Sequence, residues 1–298
     1  MQFDPHYIDG LVVSLNSATQ NEQKLTGQLS SGLRVSSLSD DPVAAGQASM
    51  LNASISQDDR FVQTAATVQS LMQVTDSALG GVVTQLTSAI SAATAGVNGT
   101  ESSADLKSLA QQLAGIRDQV LSLANSSYQG IYIFAGSQGS TQPFTLDTST
   151  SPASAIYHGD SQTGSITTTT GQHISTGLDG SAVFSAAGAD VLGALNNLIS
   201  DFATGTAGAS SNTDLAALQA AFGNVTQQRT VLDSSLSRIN TASSYAQTDA
   251  TNRTVTASNL VAADPAKIAT QLSATETQAQ ALMSAIAAVE KESLFSYM

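Results

Sequence analysis

Cysteine and tryptophan are both missing from this sequence, and histidine occurs only three times. The absence of cysteine excludes disulfides, thiolate metal sites and a cysteine nucleophile. Charge is scarce and one-sided: ten Lys and Arg stand against 23 Asp and Glu in 298 residues, a formal net charge of −13. The cations are scattered singly from Lys24 to Lys291, so no basic patch can neutralise a phosphate backbone, and nucleic acid is excluded as a partner. An anionic membrane surface repels such a chain. No segment approaches the ~18 apolar residues of a membrane span, so no membrane insertion is expected. The opening "MQFDPHYIDGLVVSLNS" has neither the basic leader nor the apolar run of a secretory signal. These absences predict a soluble protein, cytoplasmic or exported by an unusual route.

What is present is a supply of small residues at a regular spacing. Aromatics make up 5% of the chain and charged residues 11%, while Ala, Ser, Thr, Gln and Asn dominate. Such side chains suit helices packed closely along their length better than one bulky core. Apolar residues recur three and four apart. Near the start the stripe is Ile8, Leu11, Leu15, Ala18, Leu25 and Leu29, with Glu22 as a polar interruption. It continues through Phe61, Ala65, Val68, Met72, Thr75, Leu79, Val82, Leu86, Ile90, Ala93 and Val97. One helix from Pro42 to Val97 would be roughly 80 Å long, with Gly80-Gly81 as a place to bend. A third stripe, Leu106, Leu109, Leu113, Ile116, Val120 and Leu123, follows the turn "NGTESSAD", with Ser103 as its predicted N-cap.

From residue 131 to about 187 the texture changes to short β-branched and aromatic runs such as "IYIFAGS", "AIYHGD" and "GSITTTT", broken by Gly, Pro, Asp and Ser. That is the signature of strands and turns. Helical spacing resumes at Val191, Leu195, Leu198 and Phe202. After a loop at "GTAGASSNT" it carries Leu215, Leu218, Phe222, Val225, Leu232, Leu236 and Ile239 toward Leu260. The last stripe is Ile268, Leu272, Ala279, Leu282, Ile286 and Val289.

The fold class expected is mainly α with an inserted small β domain. It is a long-helix bundle whose N- and C-terminal helices pair as an antiparallel coiled coil, because a chain that goes out in helices and returns in helices brings its ends together. Residues 1–40 with 264–298 form the terminal coiled-coil assembly domain, 41–130 with 188–263 the long-helix body, and 131–187 the inserted antiparallel β domain. The terminal stripes are narrow and Ala-rich, and helical stability comes mostly from packing partners, so these ends need neighbouring subunits. The expected assembly interface is Ile8, Leu11, Leu15, Leu25, Leu29, Ile268, Leu272, Leu282, Ile286 and Val289.

Candidate chemistry is thin. There is no phosphate-binding loop, dinucleotide fingerprint or paired-His zinc motif. "GDSQTG" at residues 159–164 has one residue too many for a nucleophile elbow and lacks the strand-to-helix context. His6, His158 and His173 are read as surface or turn residues; the one alternative is a ligand-binding or hydrolytic module in the β insert built on His158, Asp160 and His173. The adjacent Asp40 and Asp41 precede Pro42. A residue before proline is pushed out of the helical region, and proline is favoured at the first helical position. Asp41 is therefore read as an N-cap, and Asp264-Pro265 repeats the device at the last helix. A hard-cation site would need further carboxylates close by, and none follow. No catalytic, cofactor-binding or metal-binding residue is assigned, no cofactor is expected, and no enzymatic activity. Asp41, Pro42, Asp264 and Pro265 are assigned as helix-cap joints.

The stretch "LSSGLRVSSLSDDPVAAGQA" (residues 29–48) resembles the N-terminal signature of the flagellin superfamily, its Ser-Asp-Asp-Pro form being most similar to the hook–filament junction branch. "GIRDQVLSLANSSYQGIYIFAGSQ" (residues 115–138) is similar to the passage from helix into β structure in that branch. "PF" at Pro143-Phe144, "YHGD" at residues 157–160 and the ending "SLFSYM" fit as well. The resemblance implies a structural subunit of the bacterial flagellum, a ring of copies of itself at the junction of hook and filament. It implies contact with a hook-side hook-associated protein and with flagellin, and an export chaperone on the last helix. It also implies an extracellular location, reached by type III export without a cleaved signal peptide. The alternative within the family is the filament subunit, flagellin itself.

Overall fold

The computed structural model describes residues 5–99 and 101–295, with side chains described from residue 8 to residue 289. Helices come first, as α1 (Pro5–Ser31), α2 (Pro42–Val97) and α3 (Ser103–Ala124). Short strands follow, as β1 (Ser127–Tyr128), β2 (Ile131–Tyr132), β3 (Phe144–Asp147), β4 (Ser154–Tyr157), β5 (Ser165–Thr167) and β6 (His173–Ser175). Then come α4 (Gly180–Phe184), β7 (Ser185–Ala186), β8 (Ala189–Asp190), α5 (Val191–Ala203), α6 (Ala209–Val261) and α7 (Pro265–Phe295). The chain divides into two compact units, residues 1–57 with 249–298 and residues 58–248. The division falls inside α2 and inside α6.

The long helices form with few charges on their outer faces because their hydroxyls are satisfied within the helix. In α2 the side chains of Ser56, Thr64, Ser70, Ser77, Thr84 and Thr94 each donate to the carbonyl four residues back, the local bonding open to Ser and Thr in helices. The opposite face is apolar. Phe61, Ala65, Met72, Leu79, Val82, Leu86 and Ala93 of α2 are buried in the second unit's core. Leu106, Leu113, Ile116 and Val120 of α3 and Val191, Leu195, Leu198 and Phe202 of α5 join them, as do Leu218, Val225, Leu232 and Ile239 of α6. The Asp76 carboxylate and the Arg229 guanidinium add a two-pronged ion pair between α2 and α6, at 2.5 and 3.0 Å.

Several local expectations are corrected. α3 is capped by Ser102, not Ser103. Ser102 Oγ accepts from the Asp105 amide (3.2 Å), and Asp105 returns a carboxylate to the Ser102 amide (3.3 Å). Asp105 stands three residues after Ser102, so only Ser102 can close this reciprocal box. α6 begins at Ala209, so the end of the "GTAGASSNT" loop is helical. α2 runs unbroken through Gly80-Gly81, and these glycines give room instead: a Cβ at Gly81 would meet Leu123 of α3 at 3.0 Å.

The β insert is a set of four separate two-stranded antiparallel hairpins, β1-β2, β3-β4, β5-β6 and β7-β8, rather than one continuous sheet. Each pair is too short to stand alone; Phe144 of β3, Ile166 of β5 and Ile174 of β6 enter the helical core, joined by Phe134 after β2 and Phe184 before β7. Phe134 and Phe184 meet edge to face with centroids 5.1 Å apart, and Phe144 meets Phe184 at 5.3 Å; all three rings are fully buried. The tight turn of β1-β2 has positive φ at Gln129 and Gly130, the twist that two-residue hairpins need.

Two glycines test this packing in opposite directions. A Cβ at Gly96 of α2 would lie 2.5 Å from Cζ of the buried Phe202 ring, while one at Gly115 of α3 meets nothing within 4 Å. Gly96→Ala should therefore destabilise the protein by about 1–3 kcal/mol through overpacking, and Gly115→Ala should stabilise it by about 0.5–1 kcal/mol. Urea unfolding of the two variants measures both signs; a stabilised Gly96→Ala protein would contradict the packing described.

Candidate assembly interface

In the first unit α1 and α7 lie antiparallel. The end of α1 (Lys24, Leu25, Gln28) faces the start of α7 (Gln271, Ala274, Thr275) across a shared groove. Along α1 the covered positions are Ile8, Leu11, Leu15, Ala18, Glu22, Leu25 and Gln28; along α7 they are Ile268, Leu272, Thr275, Ala279, Leu282, Ile286 and Val289. Spacings of three and four keep one stripe per helix on the partner's side. Only Ala18, Ile268 and Ala279 of these are fully buried; the rest keep part of their surface. Leu29 stands off the stripe and is exposed, and Gln28 takes its place in the register.

The segment between α1 and α2 is fastened to the segment between α6 and α7, and Arg34 is the fastener. Its amide donates to the Val261 carbonyl (2.7 Å) and its Nη2 to the Leu260 carbonyl (3.0 Å). Its Nη1 pairs with Asp41 Oδ2 at 3.0 Å. The Ala263 amide returns a bond to the Gly32 carbonyl (2.9 Å), beside an antiparallel bridge between Leu33 and Ala262. Gly32 has φ +70, the left-handed conformation in which helices end and which glycine adopts without steric cost.

The two aspartates divide the work. Asp41 Oδ1 accepts from the Ala44 amide (3.0 Å), closing the first turn of α2. Asp264 does the same for α7, its Oδ1 accepting from the Ala266 (3.0 Å) and Lys267 (3.2 Å) amides. Asp40 has a separate role. Its Oδ2 accepts from the Ser36 and Ser37 amides (3.2 and 3.0 Å), and its Oδ1 pairs with Lys24 Nζ of α1 at 2.9 Å. Lys24 and its neighbouring hydrogen bonds hold the Asp40 carboxyl far below the usual carboxylate range. The Ala44 amide, with Arg34 second, lowers that of Asp41.

Residues of the alternative site are occupied locally and separately. His158 Nε2 meets Thr145 Oγ1 at 2.8 Å, and His173 Nδ1 meets Thr167 Oγ1 at 3.0 Å. Asp160 accepts from the Ser137 amide (2.8 Å), the Ser137 hydroxyl and the Gln162 amide (3.1 Å). Tyr157, in the same turn, donates to the Phe134 and Asp160 carbonyls (3.0 and 2.9 Å), and burial, with Asp179 and Asp160 nearby, pushes its hydroxyl up to about 12. Among the described residues no group of three or more His, Cys, Asp and Glu is placed to hold a metal ion, and no helix is long and apolar enough to cross a membrane. The side chain of His6 and the ending at residues 293–298 lie outside the described side chains.

Exposed apolar side chains concentrate in the first unit. Among the described side chains, nine of the thirteen large exposed ones, Val12, Val13, Leu29, Leu33, Leu38, Val43, Met50, Val255 and Met283, lie in it although it is the smaller unit. Patches of this kind mark association surfaces.

Terminal helices paired across a tied double crossing, with helices and small hairpins between them, define the class: a flagellin-like helical protein. Residues 11–139 match the family described as the bacterial flagellin N-terminal helical region. Flagellar hook-associated protein 3 of Salmonella typhimurium is 38% identical over 137 residues, which are 46% of this chain and 41% of that one. The chain thus spans about two fifths of the length of the curated relative it matches. Two crystal structures from Legionella pneumophila share the fold. The flagellar hook-associated protein 3 structure has a TM-score of 0.65 at 15% identity, covering 71% of this chain and 98% of that one. The flagellar junction protein FlgL has a TM-score of 0.60 at 16% identity, covering 73% and 100%.

The joint carries a pH dependence of definite sign. Both carboxyls are held below the ordinary 3.8, so their contribution is fully present above that value and is lost as pH falls below it toward the lowered folded-state values. Protection of the Ser37 and Ala44 amides against hydrogen exchange should be unchanged from neutrality to about pH 4 and decline below it. Asp40→Asn should remove the Ser37 protection at neutral pH; protection that survives both treatments would refute the role given to Asp40.

Proposed function

We propose that this protein is a structural subunit of the bacterial flagellum, sited at the junction of hook and filament and self-associating there through its terminal helices. The observation that carries the reading is the first unit itself. Its α1–α7 stripes are only partly covered by each other, and it holds most of the exposed large apolar side chains among the described residues. Such a surface gains stability when copies of the subunit cover one another. The relatives named flagellar hook-associated protein 3 support the placement. In this reading the copies form a ring. They contact a hook-side hook-associated protein on one side and flagellin on the other, and an export chaperone holds the α7 region before assembly. The location is extracellular, and the protein works by geometry without enzymatic activity.

The neighbouring reading is flagellin, because the matched helical region belongs to the flagellin family as a whole. Purified subunits that extend into long filaments would favour it. Ala279 faces the α1 stripe and is buried. Ala279→Asp puts an unpaired charge there and should abolish ring assembly and motility in the native bacterium, while the second unit keeps its melting transition. The control Val231→Ser, at an exposed apolar position of the second unit, should move assembly far less. Normal motility with Ala279→Asp would sink the proposal.

A further inference from the structure

A cleft of about 370 Å³ opens in the second unit, between α3, α5 and the turn that precedes β4. Its polar walls come from Arg117, Asn196, Ser200 and Thr204, and its apolar walls from Pro152, Ala153, Ile199 and Ala203. Asn196 is 98% buried, being 2% exposed, and its amide nitrogen has no hydrogen-bond partner among the described residues. The orientation of that amide is set from the other end, because Oδ1 accepts from Arg117 Nη1 at 3.3 Å. Nδ2 is therefore the free end, with two hydrogens to give. Arg117 spends Nε and Nη2 on one oxygen of Asp118, at 3.0 and 2.8 Å, which leaves the second hydrogen of Nη1 unused beside Asn196. The guanidinium side chain is itself only 15% exposed.

A buried donor without an acceptor is a rare state in a folded protein and calls for one. Here two neighbouring donors, one of them cationic, stand in a cleft whose remaining walls combine Pro152, Ala153, Ile199 and Ala203 with Ser151, Ser200 and Thr204. Two donors side by side match the two oxygens of a carboxylate. The apolar walls match the carbon body attached to a carboxylate, which sulfate and phosphate lack. The Thr204 hydroxyl donates to the Asp201 carbonyl at 2.6 Å, so it presents an acceptor to a polar group on that body. We propose that this cleft is a binding site for an organic carboxylate. It is independent of the terminal helices, and neither the His158 turn nor the Asp-Pro joints contribute to it. The carboxylate comes from a small free acid or from an acidic side chain of a second copy; the chain has 23 acidic residues.

The test uses the full chain labelled with ¹⁵N, following the Asn196 side-chain amide and the Arg117 Nε signals. Titration with N-acetylglutamate should shift both saturably, while N-acetylglutamine and sulfate at equal ionic strength should leave them in place. Arg117→Gln, which keeps the aliphatic stem, should weaken N-acetylglutamate binding at least about tenfold, the loss of one charge-assisted hydrogen bond. Asn196→Ala should do the same, with the melting transition checked for both variants. Signals that move on raising the protein concentration alone, and that stop moving once N-acetylglutamate is present, would assign the carboxylate to a second copy. Absence of any shift in the unmutated chain, or equal shifts with N-acetylglutamine or sulfate, would overturn the proposal; that arm needs no variant to fold.

Discussion

The first unit depends on a clamp at its double crossing. The chain passes from α1 to α2 and returns from α6 to α7 at one place, and Arg34 holds both passages. It bonds two carbonyls of the returning strand and the capping carboxylate of the outgoing helix. An exposed ion pair alone is worth little in water. The Arg34–Asp41 pair matters because it is one member of a network that also satisfies carbonyls at the end of α6, which the helix itself leaves without donors. Asp40 and Lys24 extend the same network to α1. A cation, two carboxylates and a glycine with positive φ thus hold four helix ends at one place.

Elsewhere the chain solves a different problem, which is how to build very long helices with few charges. Threonine and serine normally weaken helices by competing for backbone bonds. Here they bond back to the preceding turn, so the outer faces are mostly neutral polar groups and the inner faces are left to alanine, leucine and valine. Small side chains let helices approach closely, and glycines mark the nearest approaches, as at Gly96 against Phe202. The hairpins follow the opposite logic. None has enough strands to be stable alone; Phe144, Ile166 and Ile174 of two hairpins, with Phe134 and Phe184 beside the other two, are driven into the helical core.

Helical stripes and cap motifs were legible because they are local. The three-four spacing of Met72, Leu79, Val82 and Leu86 reports burial directly, since the helix period is the same wherever the helix packs. Asp-Pro reads as a helix start for the same reason. The one-residue error at Ser102 shows where local reading weakens: two serines compete, and the position of Asp105 decides. Leu29 continues the spacing of α1 and is exposed within the first unit. Arg34 stood inside the most informative stretch of the sequence, but two of its partners, the carbonyls of Leu260 and Val261, are more than 220 positions away, and no spacing rule reaches that far. The duplication of aspartate was the only hint, since one carboxylate suffices for a cap and the second must serve something else.

By itself, then, the sequence determined which segments are helices, where they start, and that the β-rich insert divides them, because hydrophobic period, proline and capping residues act within a few positions. It also carried the resemblance to the flagellin superfamily in two unbroken stretches. Only the tertiary structure decided that the insert is four hairpins instead of one sheet, that Arg34 joins the two crossings, and that Asn196 is buried beside Arg117 with a donor to spare. Each of these rests on residues brought together from distant parts of the chain. Strand partnership, ion pairing and the fate of a buried amide are set by whatever the folded chain places within about 3 Å, and that distance is not written in the order of the residues.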